Sequence, residues 1–306
     1  MTMRPNATEP RPMIPPEDTA GAADPFPEPG YWSLVLRQLL RDRVAVLSGL
    51  VLLAMLVVIV FAPVFAPHDP YASSMLARLK PIGTPSHPLG TDDIGRDMLS
   101  RLIYGGRLSW LLGIAPVVIA FVIGGFLGVV AGYAGGRTNM VIMRVTDVFY
   151  AFPSVLLAAA ISGSLGSGAL NAVISMTLVF IPQITRVAES AATGQRGMDY
   201  VEAARASGAG PVSIIRVHVL PNVLGPIFVF ATGLISLAMI LASGLSFLGL
   251  GTQPPDPEWG LMLSGLRTAI YSQPLVTLLP GLCIIVTSLC FAMLSDGLRQ
   301  AMDVRR

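Results

Sequence analysis

Residues 198–221 read MDYVEAARASGAGPVSIIRVHVLP, a polar stretch set between long apolar ones. Its local chemistry predicts two short helices meeting at an angle. Asp199 is placed to cap a first helix, with Glu202 at the third position reaching back to the cap amide. Tyr200–Ser207 forms that helix, and Gly208 suits the left-handed residue that follows a helix end. Gly210-Pro211 opens a second helix, with proline at its first position, where the missing N–H costs little. Pro221 ends or kinks it.

Working outward, the flanking sequence is almost free of charge. Apolar residues make up 53% of the 306, and Asp, Glu, Lys and Arg only 12%, about half the usual share of a soluble domain. That is too little polar surface for an ordinary soluble enzyme and points to a membrane protein. A net charge of +2, with no long Lys/Arg run, excludes a basic nucleic-acid binder. Charge-free intervals fall at Val44–Pro67, Leu108–Gly136, Val148–Thr185, Val219–Pro255 and Thr268–Ser295. The third, interrupted by the Gly-rich Ser162–Gly168, is slightly short for two spans of ~20 residues. Its first span therefore begins near Met140 and takes Arg144 and Asp147 into its first turns, where they pair at i,i+3. The expectation is an all-α protein with six transmembrane helices.

Six spans put both termini on one side. With that side inside, fourteen Lys/Arg lie inside and six outside, in favour of cytoplasmic termini. Trp110 and Trp259 fall at expected membrane interfaces. Residues 1–30 hold eight prolines and seven charges with no apolar core, which predicts a disordered cytoplasmic tail and not a signal peptide. The remaining organisation is a first span with an extracytoplasmic segment (31–107), a five-helix core (108–298) containing the loop 186–221, and a cytoplasmic end (299–306).

Candidate chemistry is sparse. Gly124, Gly128 and Gly132 recur every fourth residue and predict close helix packing. Cys283 and Cys290, i,i+7 on one helix, lie about 10.5 Å apart along it and cannot bridge each other. Ser246 has no histidine within the spans to act as its base, since His68, His87 and His218 all lie outside, so no catalytic residue is assigned. No carboxylate falls in mid-span, which disfavours a proton-driven carrier. His68, His87, Asp92, Asp93 and Asp97 offer metal donors, but ligation needs a convergence that sequence does not reveal. The preferred reading is a short helix capped by Thr91 or Asp92, with Ile94, Met98, Leu102 and Ile103 as its apolar stripe; no metal site is assigned.

The hairpin's spacing resembles that of binding-protein-dependent ABC importer permeases: Glu-Ala-Ala, three residues, Gly, nine residues, then Ile-x-Leu-Pro. Glu202-Ala203-Ala204, Gly208 and Leu220-Pro221 match, with His218 in the Ile position as in the peptide branch. HPLGTDDIGRDMLSRLIYGGRLSW (87–110), Met143-Arg144, Asp147, Ala151-Phe152-Pro153, Ser246–Gly251, QPPDPEWGLML (253–263) and Leu294–Arg299 extend the likeness over about residues 31–303. Together they resemble the C-type permease subunit of the dipeptide/oligopeptide/nickel importers. One departure is Ala242, where many members carry Glu.

The resemblance implies a type I importer fold with a coupling helix hairpin. It also implies a related B-type permease as heterodimer partner, two cytoplasmic ABC ATPases that hold ATP and Mg, and an extracytoplasmic solute-binding protein. No cofactor would bind this chain, which lacks a phosphate-binding loop of its own. Asp199, Glu202, Ala203, Ala204, Gly208, Leu220 and Pro221 would form the ATPase-coupling loop in a bacterial inner membrane. Di- or oligopeptides are the first expectation for substrate, with nickel, glutathione or other small conjugates as alternatives.

Overall fold

The computed structural model describes residues 31–303. The expected tail, 1–30, and residues 304–306 lie outside the described residues. Within them the chain is helical, with no named strand. Helix α1 (Tyr31–Leu39) leads into α2 (Arg43–Val60), which Asp42 caps by accepting from Val44 N at 2.9 Å. A short α3 (Ala62–Phe65) follows, then an irregular segment, then α4 (Met98–Ala134). Next come α5 (Gly136–Tyr150), α6 (Ser154–Leu165) and α7 (Ala169–Arg196). The hairpin supplies α8 (Asp199–Ala206) and α9 (Pro211–Ile214), and α10 (Leu220–Phe247), α11 (Trp259–Gly265) and α12 (Pro274–Asp303) complete the chain.

Five helices are long and apolar enough to cross a membrane, and α5 with α6 make a sixth span only as a bent pair, 88° apart. The break falls at Ala151–Pro153. Proline disfavours helical backbone in the residue before it and lacks an N–H to continue the ladder. In place of the single helix expected for the third span there are two helices, which count as one span only together.

Two apolar cores hold the spans together. One lies among α4, α6, α7 and α10 and includes Leu112, Phe180, Ile184 and Ile227, each at most 1% exposed. The other joins α2, α11, α12 and the start of α4 around Met98, Trp259 and Leu266. Outward-facing residues such as Val64, Leu170 and Phe126 are large, apolar and exposed. Lipid tails are the solvent that suits them.

The segment before α4 differs from its sequence reading. Residues 91–97 form no helix; Thr91 and Asp97 pair as an isolated bridge. Thr91 instead receives Lys80 N at 2.8 Å and donates to Ala77 O. Asp97, not Thr91 or Asp92, caps the helix by accepting from Ser100 N at 2.8 Å. Met98, Leu102 and Ile103 are the first turns of the 37-residue α4 itself, which starts ten residues before the charge-free interval, while Ile94 stands exposed outside it. Asp92 folds back on its own loop, taking Arg96 N at 2.9 Å and Arg96 Nε at 2.6 Å.

Candidate functional site

The hairpin is built on backbone geometry more than on side-chain caps. Met198 holds the N-cap position of α8 with no side-chain cap, and Asp199 is already its first helical residue. The expected capping box between Asp199 and Glu202 is absent, because the helix starts one residue early. Both acids lie in the first turn, where they complement the helix dipole. Glu202, Ala203 and Ala206 are exposed, and Glu202 forms no ion pair among the described residues.

The turn after α8 is a Schellman motif. Gly208 N donates to Arg205 O and Ala209 N to Ala204 O, both at 3.0 Å. Gly208 has φ +83°, a left-handed conformation in which a Cβ would be strained. Gly210 then takes the N-cap of α9 and Pro211 its first position.

Pro221 does not end the helix. A π-helical turn, Ile215–Val219, precedes α10, and the path from Pro211 to Phe247 is one continuous span. A proline ring crowds the carbonyl four residues back. Here the wider π turn sits at that carbonyl and accommodates the ring. The second arm of the hairpin is thus the beginning of a membrane span. Val201, Ile214, Val219 and Val223, each at most 1% exposed, pin both arms to the core. Arg205 lies over the Tyr133 ring at 5.3 Å, tying α8 to the end of α4.

Three glycines bring α4 close to α7. A Cβ on Gly124 would sit 2.7 Å from Ile181 O, on Gly128 2.3 Å from Thr185 O, and on Gly132 2.5 Å from Glu189 O. The three carbonyls are themselves four residues apart, so two i,i+4 rows face each other. At the same end Glu189 accepts from Asn139 Nδ2 at 2.5 Å and from Thr193 Oγ1 at 3.1 Å.

Asp147 does not pair with Arg144. Its Oδ1 lies 2.5 Å from Arg186 Nη2, across to α7, and Arg186 also lies 4.4 Å from the Tyr150 ring centroid. A partner on α7, two helices on, was not readable from i,i+3 spacing. Asp147 and Arg186 are each 47% exposed, so this ion pair is open to whatever covers that face.

A buried carboxylate, missed in the sequence reading, lies at the opposite end of the spans. Glu258 is fully buried and caps α11, accepting from Gly260 N at 2.8 Å and Leu261 N at 2.9 Å. Ser109 Oγ of α4 donates to it at 3.0 Å and in turn accepts Trp259 N at 3.0 Å. Trp259 Nε1 donates to Leu102 O at 2.9 Å. Burial pushes the Glu258 carboxyl above its ordinary range, while the Gly260 and Leu261 amides and the Ser246 and Ser109 hydroxyls oppose that rise. Ser246 Oγ accepts from Thr252 N at 3.3 Å. Ala242, at 2% exposure, is a core residue.

Comparison with known proteins agrees with this geometry. Residues 124–305 match the family model "Binding-protein-dependent transport system inner membrane component", and residues 30–81 match the N-terminal TM domain of oligopeptide transport permease C. The di/tripeptide transport system permease protein DppC of Pseudomonas aeruginosa (strain UCBPP-PA14) is 41% identical over 93% of this chain and 96% of its own length. The glutathione transport system permease protein GsiD of Pectobacterium atrosepticum is 39% identical over 89% of this chain and 90% of its own. The dipeptide transport system permease protein DppC of Alkalihalophilus pseudofirmus is 38% identical over 99% and 95%. A chain of the inward-facing MetNI methionine ABC transporter superposes with a TM-score of 0.55 at 20% identity, covering 68% of this chain and 98% of its own, a likeness of fold. With its bent α5–α6 pair, its glycine-packed α4 and α7 and its hairpin running into the next span, this chain belongs to the binding-protein-dependent transport system inner membrane components, the permease subunits of ABC importers.

Proposed function

We propose that the chain is the C-type permease subunit of an ATP-driven importer of di- and oligopeptides. The observation that carries this reading is the hairpin: one arm presents an exposed acidic first turn at Asp199 and Glu202, and the other arm, from Pro211, runs without a break into a membrane span. Movement imposed on such a surface by an ATPase passes into the span as a rigid-body shift. Peptides are favoured because relatives at 41% and 38% identity carry names of di- and tripeptide systems. The glutathione-named relative at 39% identity supports a second reading, a glutathione or similar peptide conjugate as cargo. The chain itself carries out no chemistry; a B-type permease completes the pathway, two ATPases holding ATP and Mg supply the energy, and an extracytoplasmic binding protein brings the substrate. The termini and the hairpin face the cytoplasm of a bacterial inner membrane.

The test is uptake of a labelled dipeptide and of labelled glutathione by proteoliposomes holding the full complex with its binding protein. ATP-dependent dipeptide entry, abolished by Glu202→Lys while the complex stays assembled, is the expected outcome. Entry of glutathione alone would transfer the assignment to the second reading, and normal uptake by the variant would remove the hairpin from coupling.

A further inference from the structure

In the irregular segment between the first two spans, three metal-ligating side chains from separate stretches converge. His68 follows the first span, His87 lies in a turn, and Asp97 caps α4. One ligand atom from each lies within 4.8 Å of the others. Asp97 is 1% exposed, and its Oδ1 faces both imidazoles, with His87 Nδ1 at 2.9 Å and His68 Nδ1 at 3.8 Å. The two rings are 4.8 Å apart, centroid to centroid, and tilted by 32°.

A hydrogen bond from His87 to Asp97 would explain one imidazole but not the other. His68 Nδ1 is buried and has no hydrogen-bond partner. A buried nitrogen left in that condition is unfavourable unless something else meets it. Three donors of types N, N and O, converging on one point, are what a small cation requires. Tetrahedral ligation at 2.0–2.1 Å separates neighbouring donor atoms by about 3.3 Å. The observed separations of 2.9 and 3.8 Å bracket that value.

The donors are also held in place. Asp97 Oδ2 is engaged by Ser100 N and Ser100 Oγ, both at 2.8 Å, which leaves Oδ1 for the imidazoles. Ser100 Oγ in turn accepts from His68 N at 3.0 Å, so one hydroxyl fixes the carboxylate and the backbone of the first histidine together. His87 is seated by its own amide, which donates to Thr84 O at 2.9 Å. Ligands oriented by such outer partners characterise built metal sites. Asp92 and Asp93 take no part, and Asp92 is committed to Arg96.

We propose that His68, His87 and Asp97 bind one zinc ion, with a fourth position open on the partly exposed His68 side. Two neutral imidazoles and one carboxylate are a zinc donor set, and a three-ligand site leaves room for water. The ion clips the end of the first span and the loop turn to the start of α4. The sequence reading assigned no metal here because three positions spread over thirty residues reveal nothing of their convergence.

The full chain, purified without a polyhistidine tag, stripped by chelator and placed in nanodiscs, is titrated with Zn²⁺ by calorimetry, and its metal content is measured. One zinc per chain is expected, with affinity lower by on the order of tenfold or more in His68→Gln and in His87→Gln. Zinc should raise the melting temperature of the parent chain and not that of His68→Gln. X-ray absorption at the zinc edge of the parent should show two imidazole ligands, a measurement that needs no variant to fold. Binding well below one zinc per chain, unchanged affinity in both variants, or a spectrum without imidazole would each overturn the proposal.

Discussion

Gly208 and Gly128 are both glycines for a reason, but the reasons differ. At Gly208 a Cβ would meet nothing within 4 Å, so space is not at issue; its φ of +83° is. Left-handed backbone costs an L-residue roughly 1–2 kcal/mol, and asparagine less than most. Gly208→Asn should therefore keep most peptide uptake, whereas Gly208→Val should lose most of it, with both proteins inserted and assembled. Uptake by proteoliposomes, beside pull-down of the ATPases, checks this. Equal loss in both variants would mean that the partner, not the turn, demands a bare backbone. Glu258 is a residue of another kind. It joins α4 and α11 through hydrogen bonds and has no exposed face for a substrate.

At the scale of elements, α4 and α7 make the most extensive helix–helix contact among the described residues. The outcome of adding a methyl group depends on which face receives it. A Cβ on Gly128 would lie 2.3 Å from Thr185 O and 2.5 Å from Ala188 Cβ, while one on Gly125 meets nothing within 4 Å. Gly128→Ala should destabilise the protein by about 1–3 kcal/mol as the helices are forced apart. Gly125→Ala should be neutral or mildly stabilising, as helix propensity favours alanine by about 1 kcal/mol. Thermal unfolding of the two in one detergent reads the difference, and equal melting temperatures would refute the packing argument. The stripe was visible in sequence because a four-residue repeat maps directly onto one helix face. The spans were visible too, as intervals without charge, and so was the turn at Gly208, since its chemistry is local. The partner of Asp147 was not, because it depends on how the α5–α6 break turns that residue toward α7. The burial of Glu258 was hidden for the same reason: only the folded loop sets it against Ser109, 149 positions away. Asp199 was misjudged as a cap by a single residue, a shift that local patterns do not resolve.

For the whole molecule, the arrangement of charge makes a claim about sidedness. Fourteen of the twenty Lys and Arg fall on the side assigned to the hairpin. A reporter fused near Gly194 should be active only as a cytoplasmic fusion, and one near Asp256 only as an external one; the reverse pattern would invert the orientation and remove the hairpin from reach of an ATPase. The uninterrupted path from Pro211 to Phe247 also has a mechanical consequence. Its 37 residues, at 1.5 Å each, make a rod about 55 Å long. Pivoted near one end, a rod of that length turns a tilt of about 5° into a sweep of about 5 Å at the other, nearly one helical pitch. The π turn that tolerates Pro221 therefore does more than rescue a helix from a proline. It keeps the hairpin arm and the far end of the span on one continuous helical path, which the proposed coupling would use as a lever.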